Sequence, residues 1–389
     1  MSERRPVYLD HNATTPVRPE VVDAMLPYLR EHYGNPNSVY ALGQRARKAV
    51  ERAREQVAAL VGAGDASEIV FTSCGSESDV LAIAGGAWQA FDESKGARKR
   101  VVSTKIEHDA VRSILQQLAR RGFATLELGC DADGLVSAAS AAAALDASTS
   151  LLSVMHANNE VGTLQPIEAM AAECRARGVL FHTDAVQSAG KVPLKAKEWG
   201  VDLLAISGHK INAPKGVGAL FVRKGTKLAQ TITGHQEKNR RGGTENVASI
   251  VALGRACELA AAELSHADDL RALRDTLEAG AAKIPGCRLN GHRSKRLPNG
   301  AHFSFDGLDG HQLVVALDLE GICVSAGPAC SSGASLASHV LTAMGVAPEL
   351  ATGSLRVSLG HGSTAADVAR LLEVLPKAVE KLRGIPAVL

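Results

Sequence analysis

The sequence predicts an α/β protein: a large domain with a mostly parallel seven-stranded sheet covered by helices, plus a smaller α+β domain. Three observations predict it. From about residue 68, short apolar runs alternate with helical stretches at the spacing of βα units, which bury a parallel sheet on both faces. Beyond about residue 265 that alternation stops, and strands gather around longer helices. The 389 residues, at ~150 per domain, allow two or three domains.

The elements follow in order. Two helices are predicted before the core, over 17–31 and 38–61, the second opened by a Ser38 cap after an Asn-Pro turn. The core then reads strand 68–72 (EIVFT), helix 77–90, strand 100–103, helix 110–120 and strand 124–128. An Ala-rich helix over 137–145, strand 151–155, helix 167–177 and strands 179–182 and 202–206 continue it. Residues 218–222 are expected to close the sheet as an edge strand. Apolar residues at three- and four-residue spacing predict long helices over 247–284. The remainder reads as strands 301–305, 321–325 and 354–359, a helix over 310–319 and a final helix over 365–383. No repeat and no linker interrupts the chain, so the domains are expected to pack tightly.

Composition excludes several function classes. With 46% hydrophobic and 22% charged residues the chain is neither disordered nor collagen-like. Its net charge of +2 offers no basic stripe for nucleic acid, and 3% aromatics leave little for base stacking. The seven cysteines, at 74, 130, 174, 257, 287, 323 and 330, are odd in number and contain no Cys-x-x-Cys pair. Reduced thiols in a cytoplasmic protein are therefore expected. The first residues lack the apolar stretch of a signal peptide, and no apolar run reaches the ~18 residues of a membrane span.

In parallel sheets ligands bind at the carboxyl ends of strands, which directs attention to the polar residues there. After the first core strand come Ser73-Cys74-Gly75-Ser76, small groups leading into a helix, an arrangement that suits an anion or serves as an ordinary cap. Glu107-His108-Asp109, His156-Ala157-Asn158-Asn159-Glu160 and His182-Thr183-Asp184 through Gln187 follow later strands. Asp184 could pair with a cationic ring nitrogen, or join His182 on a metal. Ser207-Gly208-His209-Lys210 ends the next strand, where a lysine at the sheet mouth is desolvated and becomes an amine nucleophile. Together these suit pyridoxal phosphate, which needs an anion cradle, an acid at its pyridinium nitrogen, a lysine and a ring-stacking group. Cys330, among Gly and Ser in GPACSSGAS, reads as an exposed nucleophilic thiol on a loop, while Cys323 reads as a buried strand residue.

Taken together, the stretches YLDHNATTPV (8–17), FTSCGSESD (71–79), EHDAV (107–111), ANNEVGTL (157–164), HTDAVQ (182–187), SGHKINAPKGVG (207–218), RRGGTEN (240–246) and GPACSSGAS (327–335) closely resemble the NifS-type cysteine desulfurases. These are class V aminotransferases, fold-type I pyridoxal phosphate enzymes. The resemblance covers nearly the whole chain, and its CGSESD and GGTEN variants look more like the nitrogen-fixation branch. It implies a large cofactor domain over 16–264 and a small domain made of 1–15 and 265–389 that carries the cysteine loop.

The resemblance assigns roles residue by residue. Lys210 would bind the cofactor covalently, Asp184 would pair with its ring nitrogen, and Gln187 and Asn159 would bond its ring substituents. His108 would stack on the ring and serve as acid and base. Gly75, Ser76, Ser207 and His209 would hold the phosphate, and Thr244 would reach the phosphate of a neighbouring subunit, which implies a homodimer with shared sites. Arg356 would clamp the substrate carboxylate, helped by Asn12 and Asn159. L-cysteine would become L-alanine, with its sulfur left on Cys330 as a persulfide and passed to an iron–sulfur scaffold protein, in the nitrogen-fixation branch for nitrogenase maturation. No fixed metal site is implied, although Cys330 would be a transient cluster ligand.

The sequence also departs from the pattern. Asp109 follows His108, Pro328 precedes the cysteine, and Gly360-His361-Gly362 replaces a stretch that usually carries an arginine and an aromatic residue. The rival readings are a selenocysteine lyase or another class V lyase, a metal-dependent hydrolase using His182 and Asp184, and a non-catalytic protein that keeps the fold.

Overall fold

A computed structural model of the chain describes residues 6–327 and 337–384. Its twelve strands are β1 (Val7–Tyr8), β2 (Ile69–Thr72), β3 (Arg100–Thr104), β4 (Ala124–Leu128), β5 (Thr149–Ser153), β6 (Leu180–Asp184), β7 (Leu203–Ser207), β8 (Gly218–Val222), β9 (Cys287–Asn290), β10 (Gly300–Phe305), β11 (Ile322–Cys323) and β12 (Ser354–Ser358). β2 to β8 form one seven-stranded sheet in the order β2-β8-β7-β6-β5-β3-β4. The run from β7 to β4 is parallel, while β8 runs antiparallel to both β7 and β2.

Alternation along these strands feeds two apolar layers. Phe71, Val102, Leu152, Phe181, Leu204 and Phe221 point to one face, and Val70, Val101, Leu151, Leu203 and Leu220 to the other. Helices cover both. The helix Asp109–Arg120 buries Val111, Ile114, Leu115 and Leu118, a three- and four-residue spacing that puts all four on one side. Helices Ala41–Val61 and Val247–Glu263 approach closely because position 254 is glycine; a Cβ there would come within 2.7 Å of Ala53 Cα.

A second core stands apart. β10 lies between β9 and β12 in an antiparallel sheet, and β1 pairs with β11. Leu9, Phe303, Phe305, Leu355, Leu371 and Leu375 are buried there, each contributing roughly 1.5–3 kcal/mol. The helix Ala365–Arg383 closes this core, its start fixed by a Thr364–Asp367 capping box. Residues Val340, Leu341, Met344 and Ala351 pack into the large core instead, so chain from beyond residue 265 helps to build it.

Several expectations need correction. Gly218–Val222 is no edge strand: β8 is second from the edge, fully buried between β2 and β7, and the edges are β2 and β4. Its first residue must be small, since a Cβ on Gly218 would sit 2.8 Å from the Cys74 carbonyl carbon. Ser38 does not cap the second helix, which starts at Ala41 with Tyr40 before it. Asn35 holds residues 35–38 in a turn, accepting from Asn37 N at 2.9 Å, and Gly43 packs directly over the Ser38 carbonyl. Cys323 is half-buried rather than buried. The short strands β1 and β9 and the short helices Ala196–Trp199, His339–Ala343 and Pro348–Thr352 were not predicted. No helix among the described residues is long and apolar enough to cross a membrane.

Candidate active site

The carboxyl ends of β2, β3, β5, β6 and β7 meet at one edge of the large sheet, opposite Arg356 of β12. Between them lies a cavity of about 310 Å³, within the usual range for small-molecule sites, ~300–1,000 Å³. Asn12, Gly75, Ser76, His108, Asn159, Asp184, Gln187, Ser207, His209, Lys210 and Arg356 all line it. Eleven residues singled out from widely separated stretches of sequence therefore share one cavity.

The anion cradle forms where β2 turns into the helix Gly75–Glu93, which begins two residues earlier than predicted. Gly75 and Ser76 thus occupy the first turn, whose N–H groups have no partner within the helix. Cys74 is the cap, its Sγ accepting from Glu77 N at 3.4 Å. Glycine is required at 75, because a Cβ would lie 2.9 Å from Val186 Cγ2 and 3.2 Å from Ser207 Cβ. Opposite stand Ser207, at the end of β7, and His209, whose ring lies 3.1 Å from Thr14 Oγ1. Burial and the charge of Lys210 draw the His209 pKa down to about 4.

Lys210 follows β7 on a single 3-10 turn. Its Nζ donates to Asn12 O at 2.5 Å and Ala13 O at 2.7 Å. Burial, reinforced by the positive charge of Arg356, lowers its pKa to about 8, so a sizeable fraction of the amine is neutral near physiological pH. Asp184 accepts from Val186 N at 2.8 Å. Burial raises its pKa, against the pull of His108 and Lys210. His108 caps the helix Asp109–Arg120, its Nδ1 accepting from Ala110 N at 3.2 Å. Asp109 turns away to Arg112, 3.2 Å from Nη1.

The facing wall is held differently. Arg356 donates from Nη2 to Asp10 at 2.9 Å and from Nη1 to Asn159 O at 3.0 Å. Gln187 Nε2 donates to Asn12 O at 3.0 Å, and Asn12 Oδ1 accepts from Asn299 at 3.1 Å.

Three further residues singled out from the sequence are not among these eleven. Thr244 is exposed and does not line this chain's cavity. Its loop is pinned by Glu237, whose carboxylate takes Arg54 Nη1 at 2.7 Å and Phe71 N at 3.1 Å while residues 237–239 are left-handed. Cys330 lies outside the described residues. On either side of it, Gly327 and Ser338 both stand at Glu160, with Ser338 Oγ 2.5 Å from Glu160 Oε2. His182 does not face the cavity: Nδ1 lies 2.9 Å from Ser153 Oγ and Nε2 3.5 Å from Asp79 Oδ1, and burial lowers its pKa to about 3. It is a neutral core histidine, so the metal reading of His182 with Asp184 loses one of its two ligands. Gly360, a departure from the family pattern, is also explained, since a Cβ there would lie 2.2 Å from His11 Nδ1.

Asp79 and His339 also line the cavity, and neither was singled out from sequence. The His339 ring nitrogen Nε2 lies 3.0 Å from Glu107 O. Helical spacing from the Gly75 cradle could have found Asp79; nothing local marks His339.

The residues fit pyridoxal phosphate. Ser207 Oγ and Asn159 Oδ1 are buried without any hydrogen-bond partner, and such an orphan costs about 1–3 kcal/mol unless a ligand satisfies it. Both face the cavity that also holds a carboxyl group, a neutralisable lysine and a glycine-lined helix start.

The chain matches the aminotransferase class-V family over residues 7–371. It is 46% identical over 385 residues to "Cysteine desulfurase" of Trichormus azollae, covering 97% of this chain and 94% of that protein. It is 42% identical over 382 residues to "Cysteine desulfurase NifS" of Azotobacter vinelandii, covering 97% and 94%. Among solved structures, a "NIFS-like protein" superposes with a TM-score of 0.89 at 37% identity, covering 97% of this chain and all of that one.

Proposed function

This chain belongs to the aminotransferase class-V family, whose members use pyridoxal phosphate, and from that membership we propose that it is a cysteine desulfurase. It would convert L-cysteine to L-alanine and pass the sulfur, by way of Cys330, to a scaffold protein for iron–sulfur cluster assembly. The observation that carries the reading is Lys210. A lysine with its pKa drawn to about 8 shares one cavity with Asp184, a glycine-lined helix start and Arg356.

When bound, pyridoxal phosphate withdraws electrons from the substrate Cα and acidifies its proton. Gly75, Ser76, Ser207 and His209 would hold the phosphate, and His108 would cover the ring face. The Asp184 carboxylate would hold the proton of the ring nitrogen. Arg356 would take the substrate carboxylate with its guanidinium fork, exchanging Asp10 for it. The Lys210 amine, once released, would accept the Cα proton. The Cys330 thiolate would attack the substrate sulfur, forming the S–S bond as the Cβ–S bond breaks. The carbon skeleton would leave as alanine after reprotonation. Three of the other thiols are poorly suited to such an attack: burial raises Cys130 and Cys287 to about 11 and Cys174 to about 12.

A homodimer with shared sites supports the same chemistry. Thr244 is exposed on a loop whose Glu245 takes Asn37 Nδ2 at 3.2 Å. In the sequence on either side of Asn37, Leu29, Tyr33, Val39 and Tyr40 are exposed, Val39 at 90%. A second copy covering these side chains would bring its own Thr244 toward the neighbouring phosphate. Delivery of the sulfur to nitrogenase maturation is the finer reading that the CGSESD and GGTEN stretches favour.

Mass spectrometry of the holoenzyme after exposure to L-cysteine tests the proposal. One extra sulfur atom on Cys330 is expected, and Cys330→Ala should keep the cofactor absorbance while losing the persulfide. Unaltered sulfide release by Cys330→Ala would overturn the carrier role.

A further inference from the structure

Behind Gln187, on the far side from the cavity mouth, lies a second amine. Lys191 follows the loop after β6, in which Gly190 is left-handed at φ +69°. A Cβ on Gly190 would strike Ala260 Cβ at 2.8 Å, so only glycine lets the chain turn here against the helix Val247–Glu263. That turn sends the Lys191 side chain back beneath the active site. Its Nζ donates to Gln187 O at 3.0 Å, Gln187 Oε1 at 3.4 Å and Asn12 Oδ1 at 3.3 Å.

These bonds settle the orientation of an amide that could otherwise point either way. With Gln187 Oε1 drawn to the ammonium, Nε2 faces Asn12 O at 3.0 Å, the same carbonyl that receives Lys210 Nζ at 2.5 Å. Gln187 therefore offers the cavity a donor. The reversed amide would offer an oxygen, which repels an anionic ring substituent.

We infer that Lys191 is a positioning residue of the active site: its ammonium holds Gln187 and Asn12 so that Gln187 Nε2 is presented to the anionic ring oxygen of the cofactor. The inference rests on the proposed pyridoxal phosphate chemistry. The charged groups facing Lys191 are Lys210 and Arg356 on the active-site side, with His11, His361 and Glu263 around a small adjoining cavity of about 50 Å³. Burial lowers the Lys191 pKa to about 7, with Lys210 and Arg356 adding repulsion. Its three acceptors match the three hydrogens of an ammonium.

The sign of the effect follows. A donor held at the ring oxygen favours the deprotonated, anionic form of the bound cofactor. Losing it, or the ammonium that holds it, raises the pH midpoint of the cofactor's absorbance change. The test titrates the absorbance of holoenzyme carrying Lys191→Met, Lys191→Arg, Gln187→Leu, or Lys191→Met with Gln187→Leu. Lys191→Met should raise the midpoint by about one pH unit, a tenfold change in proton affinity, and Lys191→Arg should restore most of it. In the Gln187→Leu background, Lys191→Met should shift it by far less. Equal shifts in both backgrounds, or no shift in either, would overturn the inference. Should Lys191→Met fail to fold, Lys191→Gln, which keeps a polar tip without the charge, is expected to show the same rise, and an unshifted midpoint there would overturn it too. Wild-type protein that binds pyridoxal phosphate but makes no alanine from cysteine would sink the proposed function while leaving this titration intact.

Discussion

The two walls of the active site are held by opposite means. On the wall built from the large sheet, Ser207 Oγ and Asn159 Oδ1 are buried and unpartnered, and the first-turn N–H groups of the cradle helix are free. On the wall built from the N-terminal segment and β12, the main polar side chains already have partners within the protein, although Arg356 Nε is buried without one. Arg356 lies on Asp10, and Asn12 is held by Asn299 and Lys191. Orphaned groups suit a ligand that stays, since each departure exposes the full cost of leaving them unsatisfied. Paired groups suit a ligand that comes and goes, since Asp10 resumes its place when the substrate leaves. We propose on this ground that the sheet wall is the cofactor's, and the facing wall the substrate's.

The largest effects should come from splitting the two. Lys210→Ala is expected to abolish turnover, by at least ~10³-fold, and to remove the absorbance of covalently bound cofactor. Arg356→Ala should leave that absorbance intact while raising KM for L-cysteine by about 30-fold or more, since a buried bidentate partner is lost. Steady-state kinetics beside a spectrum of each variant would check both. Loss of bound cofactor in Arg356→Ala would break the division between the walls.

A middling effect follows from the cradle and can be read across subunits. In the proposed homodimer, Thr244→Glu should weaken cofactor binding by placing a carboxylate at the neighbour's phosphate. Mixing it with Lys210→Ala should restore about a quarter of wild-type activity, because half of the exchanged dimers are mixed and each carries one intact site. No recovery after verified subunit exchange would place Thr244 outside any shared site.

The pH dependence sharpens the sheet wall. Covalent capture of pyridoxal phosphate needs the neutral Lys210 amine, whose pKa is lowered to about 8. The capture rate of the apo-protein should therefore rise about tenfold per pH unit up to about pH 8 and then level off. A rise continuing to the ordinary lysine value, ~10.4, would show that the amine is not desolvated. The smallest effect concerns the contact of His11 with Gly360 beside the substrate wall. Gly360→Ala should lower stability by about 1–3 kcal/mol, seen as a lower denaturant midpoint, because His11 must move.

Much of the large sheet was legible because its strands are short apolar runs bounded by polar turns, each followed by a helix with one apolar face. The misreading of Gly218–Val222 has a physical lesson. A fully apolar five-residue run suits the inside of a sheet. Of the two edge strands, β4 carries the exposed pattern, with Ala124, Thr125 and Glu127 exposed, while β2 is buried beneath Arg54 and Glu237, which bond its backbone. β1 escaped notice because two residues carry no period, and its partner β11 lies more than 300 residues away. The cavity residues at strand ends were legible because a parallel sheet brings such ends together. Lys191 and His339 were not, since a lysine after a glycine turn reads as a surface residue until the packing of Gly190 against Ala260 sends it inward.

The most direct test of the account is to incubate the purified holoenzyme with L-cysteine and a thiol reductant and to measure alanine and sulfide together. The account predicts equal amounts of the two from protein that shows bound-cofactor absorbance. Sulfide appearing without alanine, or neither product from cofactor-loaded protein, would contradict it.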